Sequence, residues 1–485
     1  MPEELKTPDL IPEPGTATAR ARPVRVEIEP PRPEEEPGAA PLSSRMRGWL
    51  WALLALVILF GGWVELRGAL QHTRKTDVGT YLRAAWAIRN DGDIYSITDD
   101  RGWHYVYPPF FAVLMTPLAD PPAGASRAGY VPYAVTVGFW YLLTMALGFW
   151  GVHILASALE EIPFTASGPP LVSSRRWWAL RIVPVLALLP AIGRSQMRGQ
   201  VGLLIAFILC VTAANLVRGR KFRAGIWLSA AIAIKLIPAL LILMPIWRRS
   251  WRMLGGMVVG LILTLGLIPL AAMGPARTVK AYNSFYSEVI KGGLQGSTKS
   301  AVGGELTGIT STDSNSPMVV IHNIMYAPVP RQQRPPTAAP WVRATHWIIA
   351  VLLVITALAS AGWHKAPRLP GSPNSYENIH DALFLASLTP LMLVASPVFH
   401  PHYVSMLLPV TTLLVFLIWD RHSYGHMPPV WKAMLIFLAA SHLLTSIDKG
   451  FFFYLRDFGL VLFSTLFLWW GTVWMLFKTR RANTV

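Results

Sequence analysis

Five aspartates fall close together in TDVGTYLRAAWAIRNDGDIYSITDDRGWHYVYPPF (76–110): Asp77, Asp91, Asp93, Asp99 and Asp100. A carboxylate in such a stretch accepts the proton of a reacting hydroxyl, caps a helix, or closes a turn. For Asp77, capping is the simplest reading. YLRAAWAIRN (81–90) spaces its apolar residues like a surface helix, with Arg83 and Arg89 among them, and a helix starting just after Asp77 offers orphan amides. Capping and catalysis can coexist there. Asp91 and Asp93, in NDGD, read as the turn that closes this helix, and Asp99 and Asp100 as solvated loop charges. Cationic or titratable partners stand far away in the chain: Arg194, Arg198, Lys235, His400 and His402. Lys235 lies inside an apolar run, where an ammonium is costly unless paired or wet, so it is a functional candidate by default; snorkelling is its bland alternative. A histidine at the end of an apolar run is, by itself, an ordinary interfacial residue.

The elements that position these residues are membrane helices. The chain is 53% hydrophobic and 14% charged over 485 residues, more apolar than a soluble core can hide. Its formal charge of +17 sits in short clusters between apolar runs, as in RGRKFR (218–223), RRSWR (248–252) and KTRR (478–481). That is the positive-inside pattern of a membrane protein, and nucleic acid is not an expected partner. The single cysteine, Cys210, excludes an internal disulfide and a cysteine-based metal cluster. Residues 1–44 hold ten prolines, nine acidic and five basic side chains, and are expected to be a disordered cytoplasmic tail.

Full crossings are expected near 48–66, 130–158, 177–193, 199–217, 253–273, 344–362, 380–396, 403–419, 430–446 and 455–477. Segment 224–247 has basic clusters at both ends yet is too short for two crossings, which predicts a broken hairpin around Lys235 and Pro238. Segment 107–119 reads as re-entrant or interfacial. This parity puts both termini in the cytoplasm and leaves two large outward segments, 67–129 and 274–343, within a multi-span domain over 45–481. The turns at 194–198, 397–402 and 447–454 fall on the same outer face. The long outer segment carries a Gly/Ser/Thr-rich stretch and then VVIHNIMY, a short apolar helix.

The order Asp77-x-x-x-Tyr81-x-x-Ala84-Ala85, then Asp91-Gly92-Asp93-x-Tyr95, then Tyr105-x-Tyr107-Pro108-Pro109 resembles the polyprenyl-phosphate-mannose-dependent mannosyltransferases, glycosyltransferase family 87 of the C-type superfamily. Gly199-Gln200 before an apolar helix, Ala224-Gly225-x-x-Leu228 with Ile234-Lys235-x-x-Pro238, and Ser396-Pro397 with His402-Tyr403 follow in the family's order. The match covers roughly 48–477. It departs at Phe399 and His400, where the family usually has Ser and Trp, which leaves His400 and His402 unranked. Asn315, Ser316, His322 and Asn323 resemble the family's patch before a short helix only loosely.

The resemblance implies an all-α polytopic fold of the C type with about 10–13 transmembrane helices and helical outer loops. It implies transfer of a hexose, foremost mannose, from a polyprenyl-phosphate donor to a hydroxyl of a glycolipid or glycan at the outer face of the plasma membrane. Inversion needs one displacement, and Asp77 is the position matching the general base. A phosphate leaves as an anion, so a cationic clamp replaces the second carboxylate of glycosidases; the candidates are Arg194, Arg198, Lys235, His400 and His402. Tyr81, Tyr107, Asn315 and Gln200 are expected near the site, as acceptor contacts or as structure. No cofactor is called for, and a weakly held divalent ion at the donor phosphate stays compatible with the sequence. The rival is a transporter or flippase of lipid-linked sugars, disfavoured because the charges gather on one outer face and not at the bilayer midplane.

Overall fold

The computed structural model describes residues 41–70, 77–162, 174–295, 302, 304–305, 308–309, 313–362, 375–423, 430–447 and 451–481. The tail expected over 1–44 lies almost wholly outside the described residues, as does most of the Gly/Ser/Thr-rich stretch. Among the described residues every regular element is helical.

The helices through the first half are α1 (Ser44–Leu70), α2 (Val78–Arg89), α3 (Pro109–Leu114), α4 (Tyr133–Glu160), α5 (Arg175–Met197), α6 (Gly202–Val217), α7 (Lys221–Ile234), α8 (Leu243–Trp247) and α9 (Trp251–Leu261). The last of these continues through a π-turn at Ile262–Leu267 into Ile268–Met273. Longer helices of the second half are Pro340–Ala361, Ser375–Val394, Leu408–Ser423, Val430–Leu444 and Leu460–Arg481. Seven helical stretches among the described residues are long and apolar enough to cross a membrane, and the chain is a multi-pass membrane protein. On α1 the side chains of Leu56, Leu59, Phe60 and Trp63 are exposed, as expected of a helix that turns most of its surface to lipid.

The two irregular segments follow from the residues that interrupt them. At Lys235 the backbone leaves α7 in an extended conformation (φ −146°, ψ 132°), and Pro238 follows in a 3₁₀ turn over Ile237–Ile242 before α8. Both ends of the segment return to one acid on the Ser375–Val394 helix. Lys221 Nζ lies 2.8 Å from Asp381 Oδ2, and Arg248 Nε lies 3.4 Å from Asp381 Oδ1. The expected broken hairpin is therefore present. α7 rises about 21 Å and the 3₁₀ and α8 turns return about 20 Å, each short of the roughly 30 Å hydrocarbon core. In 107–119 the helix spans 6 residues, too few to cross, which agrees with the re-entrant or interfacial reading.

Tight backbone contact fixes this hairpin against its neighbour. A Cβ on Gly225 would meet the Met253 carbonyl oxygen at 2.1 Å, one on Gly256 the Phe222 carbonyl oxygen at 2.0 Å, and one on Gly260 the Ser229 hydroxyl at 1.8 Å. Gly225-x-x-x-Ser229 of α7 thus faces Gly256-x-x-x-Gly260 of α9, a small-residue pair that lets two membrane helices touch.

The segment after α1 is fastened by rings. Tyr81 of α2 packs edge-on to Tyr107 (5.2 Å between centroids) and Phe111 (5.0 Å), and Phe111 meets Trp140 of α4 at 6.1 Å. Buried Arg83 adds an ion pair to Asp100 at 2.6 Å. α2, expected to lie along the membrane surface, is instead buried over ten of its 12 residues, because its small and aromatic side chains pack into the ring cluster; it is a fixed platform with Asp77 at its start.

Candidate active site

Asp77 has helical backbone angles (φ −70°, ψ −8°), and its side chain accepts no amide of the first turn of α2. Its backbone does the local work. The carbonyl accepts the Thr80 amide at 3.1 Å and the Thr80 hydroxyl at 2.8 Å, and the amide donates to Arg198 O at 2.8 Å. The carboxylate is left for other partners: Oδ1 accepts Arg101 Nη2 at 3.1 Å, and Oδ2 accepts the Gln200 side-chain amide. At 33% exposure the Asp77 side chain still reaches open space.

Asp99, expected as a solvated loop charge, is buried. It accepts the amides of Arg101 (2.9 Å) and Trp103 (3.0 Å) and grips the Arg101 guanidinium at Nε (3.2 Å) and Nη2 (3.1 Å). An aspartate that gathers amides two and four residues on builds its own turn, and here that turn aims Arg101 at Asp77. Asp100 serves Arg83. Asp93 Oδ1 accepts the Tyr95 amide at 3.0 Å, and Asp91, at φ 55°, meets Arg277, as turn residues should. Asp99→Asn is expected to loosen Arg101 and lower kcat about tenfold with the donor KM little changed, since a buried charged hydrogen bond is worth roughly 1.5–3 kcal/mol. An equal rise in KM would mean that the pair serves binding instead.

Gly199, at φ 62°, lets the chain leave α5 sharply, and Gln200 follows with its amide bonded to Ser195 O at 2.9 Å. Gln200 Oε1 accepts Tyr107 OH at 3.2 Å, and the Tyr107 hydroxyl lies 3.1 Å from that of Tyr81. Burial pushes both phenols well above their ordinary range, so they stay protonated donors. Lys235 Nζ sits 3.8 Å from the Tyr403 ring centroid and 5.1 Å from that of Tyr107, a buried amine between two aromatic faces.

The opposite wall comes from the turn at 397–402. Phe399 donates its amide to Ser314 Oγ (2.9 Å) and accepts the Asn315 amide (2.5 Å), which pins the turn to the segment before the Pro317–Met325 helix. His400 and His402 stack with 5.2 Å between centroids, both edge-on to Tyr403. Arg198 donates to Asp313 at 3.2 Å. Burial works against the Asp313 charge, yet Arg456, Arg198 and Arg331 outweigh it and hold the carboxyl below the usual range. His104 donates its amide to Glu305 at 3.0 Å and meets it again through its ring at 2.8 Å.

These groups surround a cavity of about 460 Å³. Asp77, Tyr107, Arg198, Gln200, His400 and His402, all chosen from the sequence, line it. Tyr403, part of the His402-Tyr403 motif but given no role from it, lines it too, as do Arg101, His104, Glu305 and Asp313, around which the local sequence carries no motif. Lys235 and Tyr81 stand one ring behind the wall, and Asn315 holds the turn from beneath. Arg194 is not among the lining residues; its Nη2 lies 3.5 Å from Thr445 Oγ1, and its charge still acts on His402. Among the described residues no three His, Cys, Asp or Glu side chains gather as a metal site.

Burial, with Arg198 and Lys235 nearby, pushes the His400 imidazole down to about 3. The ring is then neutral, and at a bound phosphate it would act as a hydrogen-bond donor, the cationic charge coming from Arg198 and Arg101. The unfolded chain takes up a proton at this position below about pH 6.5 and the folded one does not, so stability falls as pH drops from 6.5 toward 3. The thermal midpoint in detergent should fall between pH 7 and pH 5 by an amount equivalent to about 1–2 kcal/mol, and His400→Gln should flatten that slope.

The cavity thus gathers three carboxylates, Asp77, Glu305 and Asp313, with Arg101, Arg198 and two stacked imidazoles, in a multi-pass helical membrane protein. The family model for glycosyltransferase family 87 matches residues 105–397, and the chain belongs to that family. It is a multi-pass membrane protein of a glycosyltransferase family. A polyprenol-phosphate-mannose-dependent α-(1-2)-phosphatidylinositol mannoside mannosyltransferase of Mycobacterium tuberculosis is 25% identical over 209 residues, 42% of this chain and 46% of that protein. The match thus spans about half the length of that relative. Among solved structures, ArnT from Cupriavidus metallidurans bound to undecaprenyl phosphate is similar with a TM-score of 0.42 and 15% identity, covering 90% of this chain and 78% of that one. Its apo state gives a TM-score of 0.39 and 13% identity, covering 91% and 78%.

Proposed function

We propose that the chain transfers mannose from a polyprenyl-phosphate donor to a hydroxyl of a lipid or glycan acceptor at the outer face of the plasma membrane, with inversion and with Asp77 as general base. The observation that carries this reading is the placement of Asp77. Its carboxylate is spared from capping its helix and is held from two sides by Gln200 and Arg101. It opens onto the same cavity as Arg198, His400 and His402.

The acceptor hydroxyl gives its proton to Asp77 as its oxygen attacks the anomeric carbon from the face opposite the phosphate. The bond from that carbon to the phosphate oxygen breaks, and the electron pair leaves with the phosphate, which Arg198 and the imidazole N–H groups receive. A single displacement inverts the centre and needs no covalent sugar–enzyme intermediate. Support for mannose comes from the family and from the donor that the mycobacterial relative's name states.

The test is transfer by the full chain in liposomes supplied with radiolabelled polyprenyl-phosphate mannose and a glycolipid acceptor pool, beside the corresponding glucose and pentose donors. The expected product is mannosylated, with anomeric configuration opposite to the donor. Label transferred only from another sugar, or a retained configuration, would overturn the reading.

A further inference from the structure

A second polar cavity lies at the other end of the same helices. α6 begins beside the candidate site, where a Cβ on Gly202 would lie 3.6 Å from His402 O, and ends at Val217 beside the far cavity. α7 runs back from that cavity at Lys221 to Lys235, next to Tyr403. The far cavity, about 720 Å³, therefore sits on the membrane face opposite Asp77, the face that the charge pattern assigns to the cytoplasm. We propose that it holds the phosphate group of an anionic phospholipid of that leaflet.

Four observations carry this. First, basic side chains outnumber acids along the walls, where Arg218, Lys221, Arg248, Arg249 and Arg252 face Glu377 and Asp381. Lys221 takes up both acids, at 3.0 and 2.8 Å, Arg248 shares Asp381 at 3.4 Å, and Arg218 pairs with Glu161 outside the cavity at 2.6 Å. Second, Ser250 stands at the N-terminus of α9, is 7% exposed, and its hydroxyl has no hydrogen-bond partner among the described residues. A buried hydroxyl beside the first-turn amides of a helix is equipped to meet an anion. Third, Arg249 lies at φ 48°, in the left-handed region where glycine costs less, so an arginine is kept there against local strain. Fourth, Trp251 on the cavity wall is 75% exposed at the start of an apolar span, and Ile246 beside it is 54% exposed. An indole in that position marks the lipid–water interface, and basic pockets between helices there suit lipid headgroups.

The full chain would be analysed in detergent by native mass spectrometry with phosphatidylglycerol, with phosphatidylcholine, and with inorganic phosphate as competitor. Wild type should retain phosphatidylglycerol in preference to phosphatidylcholine, and millimolar phosphate should leave that retention unchanged. Arg252→Gln should weaken retention roughly fivefold, the ratio matching about 1 kcal/mol for one basic group at an anionic lipid. Ser250→Ala should weaken it in the same direction. Arg249→Gly separates ligand from structure: it should retain or raise the thermal midpoint in phosphatidylcholine nanodiscs while losing phosphatidylglycerol. Equal retention of the two lipids by wild type, or unchanged retention in all three variants, would overturn the proposal. Displacement of the lipid by inorganic phosphate would overturn it in favour of a soluble anion. None of these residues lines the cavity around Asp77, so failure here leaves the transferase reading intact.

Discussion

Asp77→Asn should lower the initial rate of sugar transfer about 100-fold or more while donor binding stays near wild type, the loss expected when a general base is removed. Asparagine has the same size and can still present its oxygen to Gln200; its amide nitrogen cannot accept from Arg101, but Asp99 continues to hold that guanidinium in place. What disappears is the group that receives the acceptor's proton. Rates would be measured with radiolabelled donor, and donor binding separately by its stabilisation of the variant against heat. Asp91→Asn is the natural control, since Asp91 serves a turn with Arg277 and should leave the rate within about twofold, as surface changes away from special features do. A mutant at position 77 that transfers at the wild-type rate would remove it from the mechanism.

Gly256→Val should cost about 3 kcal/mol or more and strip the protein of most of its folded, monodisperse fraction, at the upper end of what overpacking does. The collision is with backbone, the Phe222 carbonyl oxygen at 2.0 Å from an added Cβ, so no side-chain rotation relieves it. Because α7 bears Lys235 at its end, the residual folded protein should also transfer slowly. Gly255→Val is the comparison, since a Cβ there meets only the far edge of the Phe222 ring at 4.0 Å. The two adjacent glycines should differ by several degrees in thermal midpoint; equal midpoints would refute tight α7–α9 packing.

The parts of this architecture that were legible in the sequence are those set by local chemistry. Of the ten expected crossings, seven match helices long and apolar enough to span, while those at 199–217 and 430–446 are the shorter apolar helices Gly202–Val217 and Val430–Leu444; basic clusters with Pro238 marked the break at Lys235. Tyr-Pro-Pro before a short apolar run marked a segment too brief to cross. The position of Asp77 at the head of a helix was also legible, but the use of its side chain was not, because capping depends on backbone angles at the cap that sequence does not state. Asp99 was misread for a related reason. A carboxylate in a polar loop looks solvated until the turn closes over it and sets the Arg101 guanidinium beside it. Glu305 and Asp313 reach the cavity from the long outer segment through contacts with His104 and Arg198, partners over a hundred positions away, and no spacing rule links such residues.

The partial depth of the hairpin through Lys235 ties the cavity to the thickness of its bilayer. The helix from Lys221 to Lys235 rises about 21 Å, short of the roughly 30 Å hydrocarbon core, so this branch turns back before completing a crossing. Through the Tyr403 ring, the cavity wall on that side leans on a part-length element. An element shorter than the bilayer responds to bilayer thickness, so transfer measured in liposomes of shorter and longer acyl chains should differ more than the thermal midpoint does.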